Sequence, residues 1–265
     1  MISLSELAIY PIKSTSQISL TKSLTSPFGL DMDRRWMLID ENGFMLTQRK
    51  HPRMCLIKSS LNNAQLTISA TGMQSLSILP PDSDNTTKAT VWEDTCISYD
   101  AGNTAAEWFS TFLKTPARLV YFPANEVRQV DLDYAGKGDI TAFSDGFPYL
   151  LISQASLDDL NSRLSSAVEM KRFRPNIVVT GTEPFAEDNW KQIRIGEIVF
   201  NLVKPCSRCV IPSINPDTAE KTAEVVKTLA SYRMRENKIF FGQNLIAEGT
   251  GELEVGMEIE VISTY

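Results

Sequence analysis

Short apolar runs separated by turn residues dominate the first hundred residues. Ser5–Ile12, Arg35–Asp40, Cys55–Ser59, Leu66–Ile68 and Ala89–Val91 have the residue types and length of strands. Glu41-Asn42-Gly43, Asn62-Asn63 and the run Pro80–Asn85 are the turn signals between them. Without helical periods between them, these runs predict an antiparallel sheet or barrel.

A period near 3.6 appears in three places. Thr104–Leu113 aligns Ala105, Trp108, Phe109 and Phe112; Ala155–Leu164 aligns Leu157, Leu160 and Leu164; Thr222–Tyr232 aligns Val225, Val226 and Leu229. All three stripes read as packing faces. Ser156 and Asp159 have capping-box spacing in the second. Asn176–Thr180, Gln192–Ile195, Val199–Val203, Ile239–Ala247 and Met257–Ile262 read as further strands, and Asp131–Asp145 as a long loop rich in Gly and Asp. The fold class expected is α+β and β-rich, in two units covering residues 1–122 and 123–265.

Composition narrows the function classes. The 265 residues carry a formal net charge of -6 and a pI near 5.0, against a general nucleic-acid binder. No segment approaches the apolar length of a membrane span, and the N-terminus lacks a signal-peptide pattern. Four cysteines do not suggest a disulfide scaffold, so a cytoplasmic, reducing compartment is expected.

Candidate chemistry centres on Lys204-Pro-Cys206-Ser-Arg-Cys209. Cations near a thiol favour the thiolate, the form that attacks electrophiles and binds soft metals. A structural zinc site wants four ligands, and only Cys55, Cys96 and His51 remain outside this pair. A dithiol redox motif usually opens a helix, whereas Val210-Ile211-Pro212 reads as strand and turn. A Cys–His hydrolase needs a base, and the sole histidine, His51, reads as a solvated residue of a basic loop. Neither a P-loop nor a dinucleotide-binding glycine pattern is present. A second cluster, Lys171-Arg-Phe-Arg174-Pro-Asn176, offers donors suited to phosphate. Lys13-Ser14 and Asp33-Arg34 are weaker clusters of the same kind. A reactive or metal-binding thiolate near an anionic group is the reading left.

Tyr10-Pro-Ile-Lys-Ser14, Gly29-Leu-Asp-Met-Asp-Arg-Arg-Trp36, Arg172-Phe-Arg-Pro-Asn176, Lys204-Pro-Cys-Ser-Arg-Cys209 and Asn215-Pro-Asp-Thr218 occur in this order. Together they resemble the MOSC family, in particular its amidoxime-reducing members with an N-terminal MOSC β-barrel domain. The resemblance implies a MOSC-type β-barrel unit followed by a MOSC β-barrel with a few helices. It implies a molybdenum cofactor, Mo-molybdopterin, with Cys209 as the metal ligand. Lys13, Ser14, Arg34, Arg174 and Asn176 would hold the pterin and its phosphate. Ser207 and Arg208 would contact the cofactor beside the metal, and the loop Phe143–Tyr149 would approach with backbone donors. Cys206 reads as a supporting thiol. The implied activity is reduction of an N-hydroxylated small molecule. A separate electron donor of ferredoxin, flavoprotein or cytochrome type would serve it, since no cysteine cluster for an iron–sulfur centre is present. The alternatives are a sulfur carrier working through a cysteine persulfide and a cofactor-storage protein.

Overall fold

The computed structural model describes residues 1–265. Its largest sheet has nine strands. Eight run in the spatial order Ile259–Thr264, Trp190–Ile195, Ile198–Arg208, Lys238–Glu248, Tyr149–Ser153, Ile177–Thr180, Ser3–Ile9 and Ile18–Leu20. The ninth, Met234–Arg235, pairs with Lys238–Glu248. A four-stranded sheet in the first half has the order Trp36–Ile39, Arg118–Tyr121, Asp94–Asp100, Thr86–Val91. The protein is thus α+β and strongly β-rich, as the apolar runs predict.

The two halves interleave. Ser3–Ile9 pairs antiparallel with Ile177–Thr180, so the first strand completes the sheet of the second half. Leu4, Leu7, Tyr149, Ile177, Ile193, Phe200 and Leu245 share one core at 0–1% exposure. Apolar side chains on alternate strand positions meet there, and truncating Phe200 to alanine would cost about 3–5 kcal/mol. A second core packs Trp36, Leu38, Leu66, Ile68 and Leu119 against the helix Asn103–Leu113 through Trp108, Phe109 and Phe112.

Three local expectations are corrected. Cys55 lies in a 3₁₀ turn, Pro52–Leu56, and the strand that follows is Lys58–Asn62. Proline at the first turn of that segment supplies its fixed φ and lacks only an N–H that would go unpaired there. The helix Gln154–Asn161 is capped by Ser153, whose side chain accepts the Ser156 N–H. Ser156 instead donates its hydroxyl to Glu187 Oε1 at 2.8 Å. Beyond Cys209 the chain turns as expected, but no strand intervenes: the 3₁₀ turn Ile211–Ser213 follows Val210 directly.

The cysteine segment is the end of an eleven-residue strand, Ile198–Arg208. Its pairing with Lys238–Glu248 shifts register between Pro205 and Ser207. Opposite that shift Gly242 adopts φ +84°, and a Cβ there would sit 2.6 Å from Ile152 Cγ1 and 2.7 Å from Leu151 O. Only glycine combines that conformation with so close an approach. The bulge bends the strand end, and with it Cys206–Arg208.

Candidate functional site

Loops and strand ends from both halves converge on one cavity of about 130 Å³. Lys13 and Ser14 follow the first strand, and Arg34 precedes Trp36–Ile39. Ser144–Phe147 precede Tyr149–Ser153, and Arg174 and Asn176 precede Ile177–Thr180. Cys206, Ser207, Arg208 and Cys209 form a further wall. Lys13, Ser14, Arg34, Arg174, Asn176, Ser207, Arg208 and Cys209, the residues the resemblance places around a cofactor, therefore all line this one cavity. Backbone strain accompanies the convergence. Ser14, Arg34 and Arg174 have φ of 71°, 48° and 61°, a region costing about 1–2 kcal/mol for residues with a Cβ. Such conformations persist only where surrounding structure enforces them.

Arg34 ties the halves together. It pairs with Asp33, donates to Asn176 Oδ1 at 3.1 Å and donates to Arg174 O at 3.2 Å. Two guanidiniums approach the Tyr10 ring, Arg174 at 4.0 Å and Arg34 at 4.6 Å from its centroid. Asn176 is 1% exposed, accepts from Arg34 and Leu150 N, and donates to Ala8 O at 3.1 Å. Its amide braces the cavity floor.

The charge balance is cationic. Lys13, Arg34, Arg49, Arg174 and Arg208 line the cavity with a single carboxylate, Asp145, in a protein of net charge -6. Burial pulls Lys13 down to about 8 against the opposing pull of Asp145. Lys13 donates to Asp145 Oδ1 at 2.6 Å and to Phe143 O at 2.8 Å. Burial lowers Arg174 to about 10, with neighbouring Arg34 adding to the shift. Asp145 moves the other way: burial would raise its carboxyl, but Lys13, Arg49 and Arg34 hold it well below the usual carboxylate range. Two buried donors on the cavity residues are unpaired, Arg174 Nη2 and Arg208 Nε. Buried unpaired donors are costly, so an anion that accepts from them fits this cavity.

The two thiols have different partners from those their sequence order suggests. Arg208 Nη1 donates to Cys206 Sγ at 3.2 Å, and Nη2 donates to Phe173 O at 2.6 Å. Positions two apart on a strand share a face, so Arg208 goes with Cys206 rather than with its immediate neighbour Cys209. The cation on Cys209 is Arg49, whose Nη2 donates to Cys209 Sγ at 3.4 Å. Arg49 lies 3.7 Å from Asp145 Oδ2 and 4.4 Å from the Trp92 ring centroid. Cys206 and Cys209 are half-buried. Cys55 and Cys96 are buried, and desolvation pushes both thiols up to about 11.

Sequence reasoning missed Arg49, Thr47 and Asn244 as lining residues. Arg49 had a visible signal, the basic run Arg49-Lys-His-Pro-Arg53, which gave no hint of direction. His51 is half-buried, lies outside the cavity, and is lowered by burial and by Lys50. Lys171 also lies outside, paired with Glu169 and Asp217.

Family models match both parts of the chain: the MOSC N-terminal beta barrel domain over residues 1–116 and the MOSC domain over residues 139–260. Mitochondrial amidoxime-reducing component 1 of Mus musculus is 36% identical over 95% of this chain and 79% of its own length. The Homo sapiens component 1 is likewise 36% identical, over 95% of this chain and 80% of its own. Mitochondrial amidoxime reducing component 2 of Rattus norvegicus is 36% identical over 95% and 81%.

Proposed function

This chain belongs to the MOSC family, with the N-terminal β-barrel domain joined to the MOSC domain, and from that premise we propose a molybdenum-cofactor-dependent reductase of N-hydroxylated compounds. The observation that carries the reading is the meeting of Cys209 with a cationic cavity that retains unpaired buried donors. Lys13, Ser14, Arg34 and Arg174 would hold the phosphate of Mo-molybdopterin, and Asn176 keeps Arg34 in place. Ser207 and Arg208 would lie beside the metal. A soft thiolate suits a sulfur-rich molybdenum centre, and Cys209 is the thiol on which the resemblance to the family puts the metal. Arg49 supplies positive charge beside that sulfur.

The reaction would take an amidoxime, two electrons and two protons to an amidine and water, with the N–O bond broken. Molybdenum, when bound, supplies two-electron redox chemistry coupled to oxygen-atom transfer. The residues of the chain bind and orient. Asp145, exposed at the cavity edge, pairs with the buried Lys13 amine at 2.6 Å and would keep it aimed into the anion site. Electrons would come from a separate ferredoxin, flavoprotein or cytochrome.

No helix is long and apolar enough to cross a membrane. All four cysteines are free, as a reducing compartment requires. The relatives are mitochondrial by name, so the cytoplasmic expectation is held here only as a reducing compartment.

The half-buried thiols also keep a sulfur-carrier role in view, with a persulfide on Cys209. One assay separates the two. Protein made in a host that synthesises molybdopterin is given benzamidoxime and a reduced viologen dye. Formation of benzamidine supports the reductase. Transferable cysteine-bound sulfur without benzamidine supports the carrier.

A further inference from the structure

The hairpin turn between Thr86–Val91 and Asp94–Asp100 has two residues, Trp92 and Glu93. Trp92 has φ 57°, and Glu93 lies outside the positive-φ region. Two-residue turns of that kind usually give their first position to glycine. A bulky side chain there is an outlier on steric grounds, and such strain persists only where other contacts enforce it. Core packing is not the reason for this indole. Trp36, Trp108 and Trp190 are 0–8% exposed and belong to cores, whereas Trp92 is 44% exposed.

The contacts of the indole lie at the cavity. Its N–H donates to Asp145 Oδ1 at 3.2 Å, and its ring carries the Arg49 guanidinium 4.4 Å from the centroid. That guanidinium stands between two acceptors. Arg49 Nη2 donates to Cys209 Sγ at 3.4 Å, and the same nitrogen is 3.7 Å from Asp145 Oδ2.

A guanidinium with a free choice grips a carboxylate through two N–H groups. Arg49 does not make that grip. Asp145 Oδ1 already accepts from Lys13 at 2.6 Å and from the indole N–H. Oδ2 remains, at a separation outside hydrogen bonding. The indole thus occupies the competing carboxylate and gives the guanidinium a face to rest on. Nothing else orients the Arg49 side chain. Lys221 holds only its backbone carbonyl, at 3.4 Å.

We propose that Trp92 is a positioning residue of the site: its indole holds the Arg49 guanidinium on the Cys209 sulfur and keeps it from closing onto Asp145. The strained turn is what brings the ring to that place. The use of this charge in turnover rests on the reductase reading; its placement does not.

The test is alkylation of Cys209 in cofactor-free protein by iodoacetate, an anion, and by iodoacetamide, which is neutral, with the modified peptide identified by mass spectrometry. Both reagents attack the same thiolate, so the ratio of their rates cancels the thiolate fraction and reports the charge beside the sulfur. Arg49→Met should lower the iodoacetate to iodoacetamide ratio about threefold or more. Trp92→Gly should lower it about twofold or more, because Arg49 then closes onto Asp145. Glycine relaxes the turn, so the thermal midpoint should not fall, and Trp92→Asn, also tolerated at positive φ, should give the same ratio. Trp92→Phe keeps a ring face and should hold the ratio above that of Trp92→Gly. Adding Trp92→Gly to Arg49→Met should lower the ratio no further. The proposal is overturned by a parental ratio in Trp92→Gly and Trp92→Asn, by a further fall in the double variant, or by Trp92→Phe matching Trp92→Gly. A protein that gives the expected ratios but, when loaded with cofactor, does not reduce benzamidoxime would refute the reductase reading and leave the Trp92 assignment standing.

Discussion

Arg49 reaches Cys209 across 160 residues of chain and donates a hydrogen bond to its sulfur at 3.4 Å. One residue comes from the loop after the early strands, the other from the end of the long strand Ile198–Arg208. The contact therefore forms only when both halves are folded together. It also brings the N-terminal half to the cavity wall that carries the thiol.

Replacing Arg49 with Met should remove positive charge from the sulfur without opening the core, because the side chain lies at the cavity wall. Partners that orient and charge a metal ligand typically carry 10–100-fold effects, so benzamidoxime turnover should fall on the order of 10-fold or more. Thermal unfolding of the variant should match the parent. Turnover equal to the parent would remove Arg49 from the site.

Arg174 combines a lowered value near 10, caused chiefly by burial, with an unpaired Nη2. Its Nη1 donates to Thr15 O at 2.5 Å and its plane lies over Tyr10, so in cofactor-free protein Arg174→Met should cost about 1–3 kcal/mol in denaturant unfolding. Molybdenum content after purification should drop on the order of 10-fold, since the anion loses its best-placed donor. Full molybdenum content in the variant would contradict the anchoring role.

Lys13 gives a pH signature. Burial sets it near 8 in the folded protein, below its ordinary value. It is charged below that pH and loses its proton as pH rises through 8. Pyrophosphate should therefore bind cofactor-free protein about tenfold more weakly at pH 9 than at pH 7, with Lys13 as the source. The stability linkage has the opposite sense. From pH 8 up to the ordinary lysine value the unfolded chain holds more protons at this position, so this group's contribution to stability rises with pH. In Lys13→Met the difference between pH 7 and pH 9 should disappear.

Much of the fold was legible because short apolar runs between turn residues leave few alternatives to strands. Asp94–Asp100, with its alternating polar positions, and Arg118–Tyr121 escaped notice. The first is too thin in apolar residues to stand out from a loop, and the second, Arg-Leu-Val-Tyr, is apolar but only four residues long; both are strands because neighbours pair with them. In the site, residues grouped in compact sequence motifs were legible: Lys13-Ser14, Arg174 with Asn176, and Cys206–Cys209 all reach one cavity. Partnerships were not. Sequence adjacency suggested Arg208 for Cys209, but strand alternation gives Arg208 to Cys206. Arg49 and Trp92 depend on long-range folding, and the strained turn at Trp92 leaves no trace in composition.

The central claim is that Cys209, and not Cys206, carries the molybdenum. The most direct measurement is metal stoichiometry and benzamidoxime turnover for Cys209→Ala and Cys206→Ala, both made in a host that synthesises molybdopterin and both checked for native unfolding. The account predicts that Cys209→Ala loses turnover entirely and most of its molybdenum, while Cys206→Ala keeps its metal. Turnover that survives in Cys209→Ala, or metal lost only in Cys206→Ala, would contradict it.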